Sequence, residues 1–255
     1  MTIGFTTYVF VCVLVFLAGF IDAAAGGGGL ISLPAYYAAG LPPALAAGTN
    51  KLSAFAGTFT ATVKYAHKKH MPWKMALAAM AGSFPGSFLG AELFKAIPES
   101  TVRIIVLVVL PLMALVMLNK DKHYTKKATA TQPTLLTAFI LGLVAGVYDG
   151  LIGPGTGTIL QLLFAAVLGL PALRASAASR LVNLGSNIGA LISFVLQGKV
   201  LYMLGLPAAV FGIMGNWLGA NTAIKKGEKF IHMLMLVVMA MLIGKTIYDI
   251  IIGGK

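Results

Sequence analysis

Residues 19–51 read GFIDAAAGGGGLISLPAYYAAGLPPALAAGTNK, and within this stretch one acid and four consecutive glycines interrupt an otherwise apolar run. Glycine costs about 1 kcal/mol relative to alanine inside a helix, so a run of four predicts a break. In hydrocarbon a broken helix leaves backbone N–H and C=O groups with no water to satisfy them. Such a break is tolerated only where it is buried in protein or lines a polar cavity. The pattern returns later in the chain: GVYDGLIGPGTGTIL occupies residues 146–160 and GLPALRASAASR residues 169–180. Gly19 and Asp22 match Gly146 and Asp149 at an offset of 127, and Leu41, Pro42 and Lys51 match Leu170, Pro171 and Arg180 at 129. One site has been written twice.

Composition sets the surroundings of this duplicated element. The chain has 255 residues, 58% of them hydrophobic and 10% charged, with a mean hydropathy of +0.91. That is the composition of an all-α polytopic membrane protein. The net charge of +12 lies mostly in short loops between apolar segments, where basic residues orient a membrane protein, so nucleic acid is not expected as a partner. The single cysteine, Cys12, sits in the first apolar run; it excludes an intrachain disulfide and is expected only to pack. Residues 8–25 end in small residues as a signal peptide does. The preceding MTIGFTT carries no basic side chain, so this segment is expected to be retained.

Ten apolar segments are expected, at 3–24, 27–39, 43–66, 73–93 and 99–118, then 133–152, 155–169, 172–196, 200–222 and 229–251. They divide the chain into a first membrane repeat (1–118), a basic cytoplasmic linker (119–132) and a second repeat (133–255). The second segment of each five is shorter than the about 20 residues that cross a bilayer core. If these pieces complete a crossing with their flanking loops, the halves form an inverted 5+5 repeat; if they only dip in, eight crossings form a parallel 4+4 repeat. Lysine-rich loops at 67–74, 119–127 and 224–229 fall on one side only in the inverted scheme, which is therefore the expectation, with both termini outside. Beyond the glycine motifs, GSFPGSFLGA (82–91) matches FGIMGNWLGA (211–220), placing Gly86 and Gly90 on Gly215 and Gly219, a small-residue spacing that lets helices approach closely. Pro98 and Glu99 likewise match Gly227 and Glu228 before a final apolar segment, an ordinary acidic helix start.

No P-loop and no Ser/His/Asp motif marks an enzyme. His67 and His70 have a metal-like spacing but stand among lysines at a membrane boundary, which suits solvated anchors, so no metal and no cofactor is expected. Polar residues inside apolar segments are the informative ones, because their insertion is costly. Asp22 and Asp149 precede the two breaks, where each reads equally as a helix cap or as a proton-coupling carboxylate. Lys51 and Arg180 occupy matching positions nine residues beyond a proline. Snorkelling to the headgroups is one reading of them. The other is an anion site, built by these two cations together with the helix starts after Gly27, Gly28 and Gly155, and completed by Asn50, Ser179 and Asn183.

The stretch at 19–52, its second copy at 146–160 and SNIGALISFVLQGKV at 186–200 resemble the TauE/SafE sulfite exporter family, especially its YfcA-like branch. The second glycine motif departs from the family pattern, with Pro154, Thr156 and Thr158 where a more continuous glycine run is usual. The resemblance spans nearly the whole chain and implies a multi-pass transporter of the bacterial cytoplasmic membrane, with characterised relatives moving sulfite and small organosulfur anions such as sulfoacetate. The expected function is thus secondary transport, in the export direction, of a small sulfur-containing anion. Its partners are that anion, the lipid bilayer and a coupling proton or cation, with a homodimer left open. An anion uniporter or channel, or a non-transporting membrane sensor or assembly protein, are the alternatives.

Overall fold

The computed structural model describes residues 4–98, 100–102, 104, 105, 108, 109, 112 and 134–226. The linker at 119–132, the segment at 229–251, the lysines of 120–127, most of the segment at 99–118, and Glu99, Gly227 and Glu228 lie outside the described residues. The elements of the first half are α1 (Phe5–Ala25), α2 (Gly29–Ala38), α3 (Pro43–His67) and α4 (Trp73–Phe94). In the second half they are α5 (Leu135–Leu151), α6 (Thr156–Ala166), α7 (Ala172–Leu196) and α8 (Tyr202–Lys226). The described residues include no strand.

Local chemistry accounts for the boundaries. α1 ends where Gly26 takes φ +78°, with its N–H on the Asp22 carbonyl at 3.0 Å. α3 and α7 both start after a proline of extended backbone, Pro42 and Pro171. Proline before the first turn forfeits no helical hydrogen bond. α2 and α6 have 10 and 11 residues, roughly half of a 30 Å core at 1.5 Å per residue.

Polarity is distributed inside out. Phe5, Leu93, Leu136, Val144, Leu196, Met203 and Val210 are exposed, whereas Asn50, Lys51, Thr58, Ser83, Asp149, Gln161, Arg180 and Asn187 are buried. A surface of large apolar side chains around a polar interior is what lipid as solvent requires. α1 and the segments Leu173–Leu196 and Tyr202–Lys225 are long and apolar enough to cross a membrane. Cys12 is a free thiol packed in the apolar core with Val11, Val15 and Leu204.

Helix packing follows the glycines. A Cβ built at Gly86 would lie 2.4 Å from the Leu143 carbonyl, and one at Gly90 would lie 2.3 Å from that of Val147. The matching glycines do the same across the molecule: a Cβ built at Gly215 would overlap the Phe16 carbonyl and one at Gly219 that of Phe20. These glycines are helix contacts, as their spacing led one to expect. The registers also give the sense of each helix. Rising residue numbers run together in α1 with α8, in α4 with α5, and in α4 with α7, where Gly185 meets Met80 and Gly189 meets Phe84. They run together again in α3 with α8, where Thr49 accepts from the Leu201 N–H and Gly57 meets Asn216. In α3 and α7 they run oppositely, Gly48 meeting Lys199 while Thr58 meets Asn187. So α1, α3 and α8 point one way and α4, α5 and α7 the other.

Candidate functional site

The two breaks cross at the centre of the molecule. Gly26 and Gly27 (φ +78° and +94°) separate α1 from α2; Gly153 and Gly155 (φ +90° and +85°) separate α5 from α6. A Cβ on Gly26 would lie 2.6 Å from the Thr158 nitrogen, and one on Gly29 would lie 3.4 Å from the Pro154 Cα. Only glycine allows the first approach, and the left-handed backbone favours it there too. The Thr158 hydroxyl reaches back to the Ala25 carbonyl at 3.4 Å.

Two ion pairs span the crossing, and each joins a cation of one half to a carboxylate of the other. Lys51 Nζ lies 2.6 Å from Asp149 Oδ2, and Arg180 Nη1 lies 2.6 Å from Asp22 Oδ2. Asp22 Oδ1 also accepts from the Gly28 N–H at 3.0 Å, so this carboxylate closes the break as well as binding the cation. Lys51 has a second, longer contact to Asn187 Oδ1 at 3.4 Å, and Asn187 donates to Thr58 Oγ1 at 3.2 Å. Arg180 is fully buried; its Nη2 reaches Ser179 Oγ at 3.4 Å while its Nε has no hydrogen-bond partner among the described residues.

A cavity of about 60 Å³ lies among these groups. Its wall includes Asp22, Gly27, Gly28, Asn50, Lys51, Asp149, Gly155 and Asn183, the sequence-derived site residues except Ser179 and Arg180. Those two stand behind the wall, where Ser179 donates to the Ser176 carbonyl at 2.8 Å. The cations therefore do not face each other across an open site; each is neutralised by a carboxylate at hydrogen-bond distance. The wall also holds Ser53, Thr58, Thr156, Asn187 and Asn216, none of which the sequence reading assigned to the site. A signal for two of them existed: Thr58 and Asn187 lie seven residues beyond Lys51 and Arg180, two helical turns along the same face.

The wall can offer hydrogen bonds and charge to a small polar solute drawn from both halves, and it sits inside a helical bundle whose surface is apolar. This is the architecture of a membrane protein with an internal polar site. The Sulfite exporter TauE/SafE family matches residues 11–246, and the chain belongs to this family. It is 35% identical over 248 residues to the "Probable membrane transporter protein ORF9" of a Sinorhizobium species, covering 97% of this chain and 95% of that one. It is 35% identical over 233 residues to the "Probable membrane transporter protein YfcA" of Escherichia coli K12, covering 91% and 87%. A "Probable membrane transporter protein" of Haemophilus influenzae is 32% identical over 234 residues, covering 92% of each. No solved structure matches the chain.

Proposed function

We propose that this protein exports a small sulfur-containing oxyanion, such as sulfite or an organosulfonate, across the bacterial cytoplasmic membrane as a multi-pass secondary transporter. The observation that carries the reading is the central cavity, walled by both breaks and by the Lys51–Asp149 pair contributed from opposite halves. At about 60 Å³ the cavity exceeds the ~10–15 Å³ that a single water requires, which leaves room for a small solute. Lys51, the helix starts at Gly27, Gly28 and Gly155, and the amides of Asn50 and Asn183 would hold the oxygens. The common sense of α1, α3 and α8, opposed to that of α4, α5 and α7, supports an inverted arrangement of the halves, the architecture that serves alternating access around a midplane site.

Charge balance supports coupling to a proton. Lys51 and Arg180 are matched by Asp149 and Asp22, so a site occupied by a monoanion such as hydrogensulfite or a simple sulfonate would hold one uncompensated negative charge, at a cost of several kcal/mol. A proton taken by Asp149 as the anion takes over Lys51 restores neutrality, and the anion's own outward gradient then drives an electroneutral step. Counterflow of radiolabelled sulfite in proteoliposomes tests this. Uptake into sulfite-loaded vesicles is expected, with net flux responding to an imposed pH gradient. Asp149→Asn is expected to keep exchange but lose that response. Absence of sulfite and sulfoacetate counterflow from a monodisperse preparation would refute the substrate class.

A further inference from the structure

The two ion pairs are equivalent by the repeat but differ in their surroundings. Lys51 and Asp149 line the central cavity and also a second, smaller cavity of about 20 Å³, whose wall runs through Phe94, Ile97, Val102 and Phe194. The two spaces adjoin at this pair, flanked by Asn50 and Gly153, which also line both. Lys51 is held there by a single short contact, at 2.6 Å, and a long one to Asn187. An ammonium is a compact point charge that exchanges partners without having to satisfy a fixed fork geometry.

In the other pair it is the cation that is enclosed, while Asp22 keeps one side on the central cavity at 14% side-chain exposure. Arg180 is fully buried and lines neither cavity. A Cβ built on Gly157 at the start of α6 would lie 2.6 Å from its Nη2, and one built on Gly28 would lie 2.5 Å from the Asp22 Cβ. Asp22 meanwhile bonds the Gly28 N–H. Arg180 and Asp22 thus tie together the end of α1, the break before α2, the start of α6 and the body of α7. On this side Tyr65 takes the position that Phe194 holds on the other, at the offset of 129; it is fully buried and donates to the Ala23 carbonyl at 2.9 Å.

We propose that the pairs have divided roles: Lys51–Asp149 is the partition whose opening joins the central cavity to the membrane face bearing Ile97, whereas Arg180–Asp22 is a permanent brace that positions the two breaks. This rests on the transport reading, but its test does not need the cargo. Ala54 lines the central cavity, so Ala54→Cys in a Cys12→Ser background reports on access to that space. The probe is a small membrane-impermeant methanethiosulfonate, applied separately to intact cells and to inside-out vesicles. Lys51→Gln with Asp149→Asn is expected to raise the labelling rate at least tenfold from the Ile97 face and to leave the opposite face unchanged. Arg180→Lys is expected to keep the parent labelling rate while lowering the melting temperature of the purified protein. Should Asp22→Asn with Arg180→Gln fail to fold, Arg180→Lys still decides the brace. Unchanged labelling after neutralising Lys51 and Asp149, or an equal rise in Arg180→Lys, would overturn the division of roles.

Discussion

Lys51 and Asp149 are each buried, at 6% and 4% exposure, and among the described residues their charges are compensated by each other. Removing one partner strands the other, at a cost of about 3–5 kcal/mol, whereas replacing both charges with neutral amides leaves no buried ion. Lys51→Gln alone is therefore expected to lower the melting temperature in detergent, and Lys51→Gln with Asp149→Asn to recover most of the loss. Recovered stability should not bring recovered binding. A charge-assisted hydrogen bond to the oxyanion is worth about 1.5–3 kcal/mol, so calorimetric affinity for sulfite is expected to fall at least tenfold in the double variant. Parent-like affinity in that variant would remove Lys51 from the substrate site. The pairing itself was not legible in the sequence. Lys51 and Asp149 stand 98 residues apart, and the repeat alone brings like positions toward the axis, whereas electrostatics selects the unlike partner from the opposite half.

At the scale of elements, the sequence was most readable where apolar runs meet proline or glycine. The segment expected at 43–66 is the helix Pro43–His67, and the one expected at 172–196 is Ala172–Leu196, because Pro42 and Pro171 set both starts. The short second segments were equally visible as 27–39 and 155–169, against helices of Gly29–Ala38 and Thr156–Ala166. What periodicity could not give is that the two breaks touch, since that contact depends on how the halves dock. The break glycines consequently differ in their tolerance. Gly26 combines φ +78° with a Thr158 nitrogen 2.6 Å from its would-be Cβ, while the nearest atom to a Cβ at Gly29 is 3.4 Å away, at Pro154. A non-glycine residue in a left-handed conformation costs of order 1–3 kcal/mol before any clash is counted. Gly26→Ala is expected to lose folded yield and several degrees of melting temperature, and Gly29→Ala to stay near the parent. Equal stability of the two would mean that the crossing of the breaks is not a tight contact.

For the whole molecule, the sense of the helices bears on sidedness. α3 and α8 run together, so their C-terminal ends, with Lys68 and Lys69 on one and Lys225 and Lys226 on the other, emerge on the same face. Lys64 of α3 stacks on Trp217 of α8 at 3.7 Å, which ties these ends side by side. Six of the nearby positions (64, 68, 69, 74, 225 and 226) are lysines, and basic residues in short loops accumulate on the cytoplasmic side. The opposite face, at Ile97 and the second cavity, would then be external. The sequence reached the same sidedness by counting crossings between lysine-rich loops. Both rest on the same lysines; what the contacts add concerns the repeat, because α1 and α3 can run in one sense only if the chain passes back across the bundle between them, through α2 and its flanking loops. Single cysteines at 69 and 226, in a variant with Cys12 replaced, should therefore resist an impermeant maleimide in intact cells and react once the cells are permeabilised. A cysteine at 198, beyond the end of α7 on the Ile97 side, should react without permeabilisation. Labelling of 69 and 226 from opposite sides would break the inverted arrangement. Labelling of both from outside would keep that arrangement but reverse the molecule in the membrane, so that the Lys51–Asp149 partition faced the cytoplasm.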